Sequence, residues 1–582
     1  MAEKNRSADS ASPAKSLFLG NILEDTIFPF PKIGEEERET LKMVVESIDK
    51  FMSGKEQTYR EYDNKGEQPQ DYLTSIAELG LFGLIIPEEY GGLGLSNSGY
   101  ARIIQQTSRY DASTSLTIGA HSSIGMKALL LFGTEAQKAK YLPKLSSGEM
   151  IAAFCLTEPG SGSDAASIKT NAIKNSDGSW TLNGEKIWIT NGGTAGFYTV
   201  FARTGSDHGK LTAFIVERSW TGVSNGPKED KMGIRASCTT SVAFSNVKVP
   251  AECVLGGEGN GFKVAMSVLN NGRTGLGGGC IGGMKRCIAL AARQAKERKQ
   301  FGKSIAEFGL IKEKIARMTV NCFSAEAVVA MVGHLIDSGH EDYSVEAAIS
   351  KVYATECLWN TAHEALQIAG GNGFMKEFPY EMIVRDSRIN MIFEGTNEIL
   401  RLYIALSGMK DAGEHLKDVA KKIGGIFNDP IKGFGVLSQY ATKRLTQLTP
   451  LGRDKIESVD QSLRPDAIVY EQYTTELAKA VEVILRRHGK NVVEKQFAMK
   501  RIADVVIDLF VGLCLLSRVN SLLKERGAEK CKFELSMLRI YTQAAKRRVN
   551  QTLRRVDINE DEEMKALSDF IVEGGGFPWD TI

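Results

Sequence analysis

No apolar run in this chain reaches about 18 residues, the length a bilayer span needs, so nothing in the sequence reads as a transmembrane helix. Charge of one sign is lacking as well. Against 71 Asp and Glu stand 72 Lys and Arg, a formal net charge of +1, and nucleic acid is not expected as the main partner. The seven histidines form no HExxH pair, since His363-Glu364 is followed by Gln367 where a second ligand would stand; no metal site is expected. The nine cysteines show no CxxC pair and no close disulfide framework, and read as reduced, mostly buried thiols in a reducing compartment. From Met1 to about Leu17 there is no apolar core of a secretory signal, and Glu3 and Asp9 count against a transit peptide. The segment 1–34 is expected to be flexible, and the missing targeting signature favours a bacterial cytoplasm, with contact at the membrane surface left open.

What is present is ordinary globular material: 42% hydrophobic, 25% charged, and a length of 582 residues that suits about three or four domains. One stretch organises the rest. Glu394 stands behind the apolar run Met391-Ile392-Phe393 and in front of Gly395-Thr396-Asn397, after which Ile399, Leu400, Tyr403 and Ile404 recur at helical spacing. The apolar side disfavours an ionised carboxyl and lifts its pKa toward that of a useful general base. The helix start behind it offers free N–H groups and a positive dipole end, a ready site for phosphate. In isolation such a glutamate is more often a plain N-terminal helix acid.

Along the chain the period changes twice. Helical stripes fill 35–150, where Leu41, Val44, Val45, Ile48, Phe51 and Met52 make the first. The Ser-, Thr-, Ala- and Gly-rich stretch Ala112 to Gly125 suits close helix packing, or a slot for a long apolar ligand. A β-rich block spans 151–255, read as an antiparallel sheet with hairpin turns at Asp177-Gly178 and Asn183-Gly184. It opens on a Gly/Ser loop, Thr157-Glu158-Pro159-Gly160-Ser161-Gly162-Ser163, whose hydroxyls and N–H groups suit a flat polar ring or a pyrophosphate. Helical periodicity returns over 256–410. Gly275 to Gly283 follows no strand, so its glycines read as close helix contacts and not as a dinucleotide fingerprint. A further helical domain covers 411–582. Ahead of its stripes, Ile431 to Arg444 is Gly-punctuated, apolar and basic, and suits either an anionic membrane surface or a solvated linker.

Six separated motifs then converge: Ala153 to Asp164, Trp188 to Gly193, Leu269 to Arg273, Arg298 to Gly302, Gln367 to Gly371, and Ile392 to Asn397. Together they resemble the acyl-CoA dehydrogenases, closest to the very-long-chain type with a C-terminal extension, from about Lys15 to Gly408 and more loosely beyond. The resemblance implies a mostly α fold with a central β domain: an α-helical domain, an antiparallel β domain and a four-helix bundle, plus a C-terminal helical domain. It implies FAD, held at Phe154, Cys155, Leu156, Thr157, Gly162, Ser163, Trp188, Ile189 and Thr190. Phe301 is a further implied cofactor contact, and Arg298, Gln367, Ile368, Ala369, Gly370 and Gly371 match residues that reach the FAD of a partner subunit, hence an expected homodimer. Thr396, Asn397 and Glu398 match contacts near the pyrophosphate and adenosine; Ser163, Asn270, Asn271, Arg273, Phe393 and Gly395 match positions beside the acyl-CoA. Glu394 matches the base that removes the α-proton while the β-hydrogen leaves to the flavin, giving a trans-2-enoyl-CoA. The alternative base position of some relatives is matched by Gly272, which cannot serve. The implied activity is the first step of fatty acid β-oxidation on long-chain acyl-CoA, with electrons passed to electron-transferring flavoprotein. An acyl-CoA oxidase, distinguished by reoxidation in air, and a non-catalytic assembly factor derived from the family remain the alternatives.

Overall fold

The structure is a computed structural model and describes residues 11–205, 209–424, 454–556 and 559–581. It divides into two compact units, one holding Phe30–Leu400 and the other Ala11–Pro29 with Arg401–Ile582.

In the first unit, helices α1 (Glu35–Met52), α2 (Asn97–Ser108) and α3 (Ala112–Gly119) precede the sheet, α3 running on into a wider π turn, Ala120–Gly125. The sheet comprises β1 (Ala152–Cys155), β2 (Asn171–Lys174), β3 (Trp180–Thr190), β4 (Phe197–Thr204), β5 (Leu211–Glu217), β6 (Val223–Lys228), β7 (Thr239–Val249) and β8 (Val254–Leu255). Its order is β6-β7-β3-β2-β4-β5-β8, with β1 joined to β4. The sheet is mixed and not purely antiparallel, because β1 and β2 both run parallel to β4. Asp177-Gly178 does turn β2 into β3, whose ladder pairs Lys174 with Trp180. Asn183-Gly184 does not form a turn. It lies inside β3 as a bulge against β7, where a side chain on Gly184 would strike Thr170.

The sheet is followed by α4 (Gly261–Glu297), α5 (Gly309–Asp337), α6 (Ser344–Ala369), α7 (Tyr380–Arg388) and the start of α8 (Asn397–Gly424). The glycines of α4 allow the close contact expected of them: a Cβ on Gly278 or Gly282 would run into the backbone carbonyls of Ala101 or Gln105 on α2. One window of α5 is apolar enough to cross a bilayer, at mean hydropathy 1.4, but 61% of it is buried in the protein. All nine cysteines are free thiols.

The second unit is helical, with α9 (Arg464–His488), α10 (Gln496–Arg526), α11 (Lys532–Arg554) and α12 (Asp561–Gly574). Of the stripes expected at Leu477, Val481, Ile484 and Leu485 and at Ile502, Val505, Val506, Leu509 and Val511, all are buried on α9 and α10 except Leu485, which is half-buried. Its N-terminal portion, residues 11–29, is ordered where a flexible segment was expected. Ser12 caps a short helix, Pro13–Leu17, and Ala14, Leu17, Phe18 and Ile27 are buried. The Ile22 N–H donates to Asp454, and Ser517 donates to the Ile27 carbonyl at 2.6 Å. A five-residue helix has no stability alone, so only this packing orders it. The segment Ile431 to Arg444 lies outside the described residues.

Candidate functional site

Glu394 sits on a short loop between a 3-10 turn, Ile389–Met391, and α8. The turn ends with the Ile392 and Phe393 N–H groups both donating to the Ile389 carbonyl. Glu394 then takes φ +59° and Gly395 φ +89°. Two successive left-handed residues, one of them a glutamate, hold a strained geometry that the surroundings must enforce. Among the described residues, nothing donates to its buried Oε2. Burial raises the pKa of Glu394, and the charges of Arg273 and Lys351 pull part of that rise back. A carboxyl with one oxygen buried and unsatisfied, yet under two cations, is primed to accept a proton.

Around it, Arg273 donates to the Asn270 side chain at 2.6 Å, and a Cβ on Gly395 would stand 3.8 Å from Arg273 Nη2. Phe393, Gly395, Asn270 and Arg273 are thus gathered with Glu394. Asn271 is not. It is 9% exposed, and its amide donates to the Ser267 carbonyl and, at 2.6 Å, to the Tyr343 hydroxyl, so its side chain holds helices together. A side chain at Gly272 would meet Ile124 at 3.1 Å.

The residues expected at the phosphate end divide. The Thr396 hydroxyl caps α8 by accepting from the Ile399 N–H, and Glu398 is exposed. Asn397 is 2% exposed; its oxygen accepts from Lys351 Nζ and its amide nitrogen donates to Thr355 and Glu356. With both side-chain ends engaged inside the fold, Asn397 anchors the loop. Lys351, absent from the expected set, also donates to the Gly395 carbonyl at 2.8 Å. Its one signal in the sequence is a lysine on a stripe otherwise made of Ala347, Ala348 and Thr355.

The segments expected to cradle FAD converge in the sheet. The Ile187 N–H donates to the Thr157 carbonyl at 3.0 Å, setting the Gly/Ser loop beside Trp188. Trp188 occupies a bulge of β3 at φ +56° and is 65% exposed, a flat apolar surface next to that loop. Gly160 and Gly162 have no atom within 4 Å of a would-be Cβ, and Gly162 and Ser163 are exposed. Phe154, Thr157 and Thr190 are half-buried; Cys155, Leu156 and Ile189 turn their side chains into the core. Burial pushes the Cys155 thiol up to about 12, so it stays protonated. An open, polar loop against an exposed indole is what a flavin ring and its chain require, and the residues fit.

A buried ion pair pins that loop. Lys186 Nζ lies 2.7 Å from Glu158 and donates to the Leu156 carbonyl at 3.1 Å; the two side chains are 0% and 6% exposed. The Glu158 carboxylate also accepts from the Lys169 and Thr170 N–H groups. Neither Lys186 nor this role of Glu158 was legible from spacing.

The residues expected to reach a partner's cofactor lie mainly on the surface. Arg298, Gln367, Gly370 and Gly371 are exposed, and Phe301 is 90% exposed at φ +50°. Ile368 and Ala369 instead place their side chains in the core beside Cys287 and Ala291, leaving only backbone to offer.

Comparison with known proteins agrees with this geometry. Models described as acyl-CoA dehydrogenase N-terminal, middle and C-terminal domains match residues 38–149, 153–247 and 259–409, and the ACAD9/ACADV C-terminal domain matches 461–577. The mitochondrial very long-chain specific acyl-CoA dehydrogenase of Bos taurus is 43% identical, over 99% of this chain and 89% of its own. The crystal structure of an acyl-CoA dehydrogenase complexed with FAD from Bacillus anthracis superposes with TM-score 0.80 at 32% identity, covering 94% of this chain and 92% of that one. A chain from the work on the electron transferring flavoprotein of Acidaminococcus fermentans gives TM-score 0.62 at 35% identity, over 65% and 98%. With a carboxyl whose Oε2 is buried at the start of α8, an open Gly/Ser loop beside an exposed indole and near-full-length kinship, this chain belongs to the acyl-CoA dehydrogenase family and is an FAD-dependent enzyme.

Proposed function

We propose that the protein oxidises long-chain acyl-CoA thioesters to trans-2-enoyl-CoA, with Glu394 as the base, as the first step of fatty acid β-oxidation. The observation that carries this is the buried, unpartnered Oε2 of Glu394 on a loop held at positive φ. Glu394 takes the proton from the carbon next to the thioester. Arg273 and Lys351 favour its ionised form before that transfer, and burial favours the protonated form after it. FAD, when bound, supplies the acceptor for the β-hydrogen.

The long-chain preference is supported by the relative named very long-chain specific and by the match to the ACAD9/ACADV C-terminal domain. Electrons pass to an electron-transferring flavoprotein, a reading supported by the neighbour from the Acidaminococcus work. The working form is a homodimer, consistent with the exposed Arg298, Phe301, Gln367 and Gly371. Free thiols suit a reducing compartment such as a bacterial cytoplasm. Any peripheral membrane contact rests on the sequence of Ile431 to Arg444 alone.

The test is anaerobic flavin bleaching with acyl-CoAs from butyryl to longer than palmitoyl, for the parent and Glu394→Gln. Bleaching should be fastest with the long chains, and the variant should keep its flavin while losing about 10²–10⁴-fold in rate. A Glu394→Gln enzyme reduced at the parental rate would defeat the assignment.

A further inference from the structure

On α6, Ala347, Ala348, Val352 and Thr355 have no exposed surface, and neither does Lys351 among them. An ammonium sealed into such a place is costly unless its donors are used and a negative charge is near. Its donors go to the loop that follows the base. Lys351 Nζ is 2.8 Å from the Gly395 carbonyl and 2.8 Å from the Asn397 oxygen. The same face of α6 supplies Thr355 and Glu356, each accepting from the Asn397 amide at 3.1 Å. Three side chains of one helix thus hold the residue just after Glu394 and the first residue of α8.

The charged and titratable groups acting on Lys351 are Glu394 from the loop, Arg273 and the Cys280 thiol from α4, and Glu356 from its own helix. Burial lowers Lys351 to about 8, with Glu394 opposing and Arg273 adding to that fall. The influence is mutual, since Lys351 is one of the two cations acting on Glu394.

Resting on Glu394 as the base, we propose that Lys351 is the positioning residue of the catalytic loop. By gripping the Gly395 carbonyl it holds Glu394 in its left-handed backbone, and its charge stabilises the carboxylate that must receive the proton. Its hydrogen bonds go to the Gly395 carbonyl and the Asn397 oxygen, so it acts through the loop that carries Glu394. A lysine that merely filled space would leave the acid limb of the rate profile where it is.

The experiment uses full-length holoenzyme, following anaerobic flavin reduction by palmitoyl-CoA from about pH 6 to 9 for the parent, Lys351→Met and Lys351→Gln. In Lys351→Met the acid limb should move up by about one pH unit, a rate loss of about tenfold below the limb, with flavin content unchanged. Lys351→Gln keeps a donor without charge; it should show the same displaced limb but a higher plateau than Lys351→Met. A parental limb in both variants overturns the proposal. Loss of flavin from both also overturns it, because Lys351 would then serve the fold as a whole. Glu394→Gln, measured alongside, separates the two readings. If it stays active, the base assignment fails; if it is inactive while Lys351→Met keeps the parental limb, only the role of Lys351 fails.

Discussion

Replacing Lys186 with methionine should loosen the flavin loop far more than the loss of one hydrogen bond would. Lys186 is fully buried, and its Nζ stands 2.7 Å from the Glu158 carboxylate. Burial alone would raise the pKa of Glu158, but the Lys186 charge and the N–H donors of Lys169 and Thr170 outweigh it, so the carboxyl is held lower than usual. At neutral pH it therefore stays ionised, and Lys186→Met leaves it as a lone buried charge. Removing one partner of a buried pair costs about 3–5 kcal/mol. Because the cost falls on a loop, it appears in local opening and not in a global melt. The amides to watch are Ile187, bonded to Thr157, and Lys169 and Thr170, bonded to Glu158. Their exchange protection should fall by roughly two to three and a half powers of ten, at about 1.4 kcal/mol per power of ten. Flavin should be lost more readily in parallel. Lys186→Met/Glu158→Gln, which removes both charges, should recover at least half of the lost protection. The reasoning is refuted if Lys186→Met exchanges like the parent, or if the double variant is no better than the single.

Two further outcomes concern the fold. Gly282→Ala should destabilise by about 1–3 kcal/mol, because its Cβ would overlap the Gln105 carbonyl and cancel the gain alanine brings to a helix. Gly413→Ala, in α8 with nothing within 4 Å of the new Cβ, should instead stabilise by about 0.5–1 kcal/mol. Thermal melts of the two, side by side, decide it; equal shifts would sink the packing argument. The second outcome is a pH dependence. Burial, with help from Asp63 and Asp111, pushes Asp386 up to about 7 against the Ile234 N–H and Arg385. With its folded pKa raised, the stability tied to Asp386 is complete below the ordinary carboxylate range, about 4, and drains as pH rises. Asp386→Asn should therefore melt higher than the parent at about pH 8 and flatten the decline between about pH 4 and 7. An unchanged slope would show that Asp386 is not the group titrating.

Much of this was written locally. The stripes of α9 and α10, the glycines of α4 and the start of α8 each depend on residues a few positions apart, and period or spacing exposes them. The carboxyl at Glu394 was legible for the same reason, since an apolar run before it and a helix start after it are neighbours in the chain.

What the sequence could not show by itself is which polar groups meet across the fold. That Lys351, Thr355 and Glu356, more than forty positions upstream, use both ends of the Asn397 side chain is visible only in the fold. Asn183-Gly184 reads as a hairpin turn, yet β7 pairs across it and makes it a bulge. The N-terminal segment reads as a loose tail, and only its docking with residues after 401 within the second unit gives Leu17 and Phe18 somewhere to be buried. Local pattern in the sequence determined most of the elements and singled out the acid, while the enzyme class came from the resemblance of six separated motifs to a known family. The pinning of that acid by a buried lysine was decided by tertiary structure, because desolvation and pairing exist only once distant side chains share the same dry space.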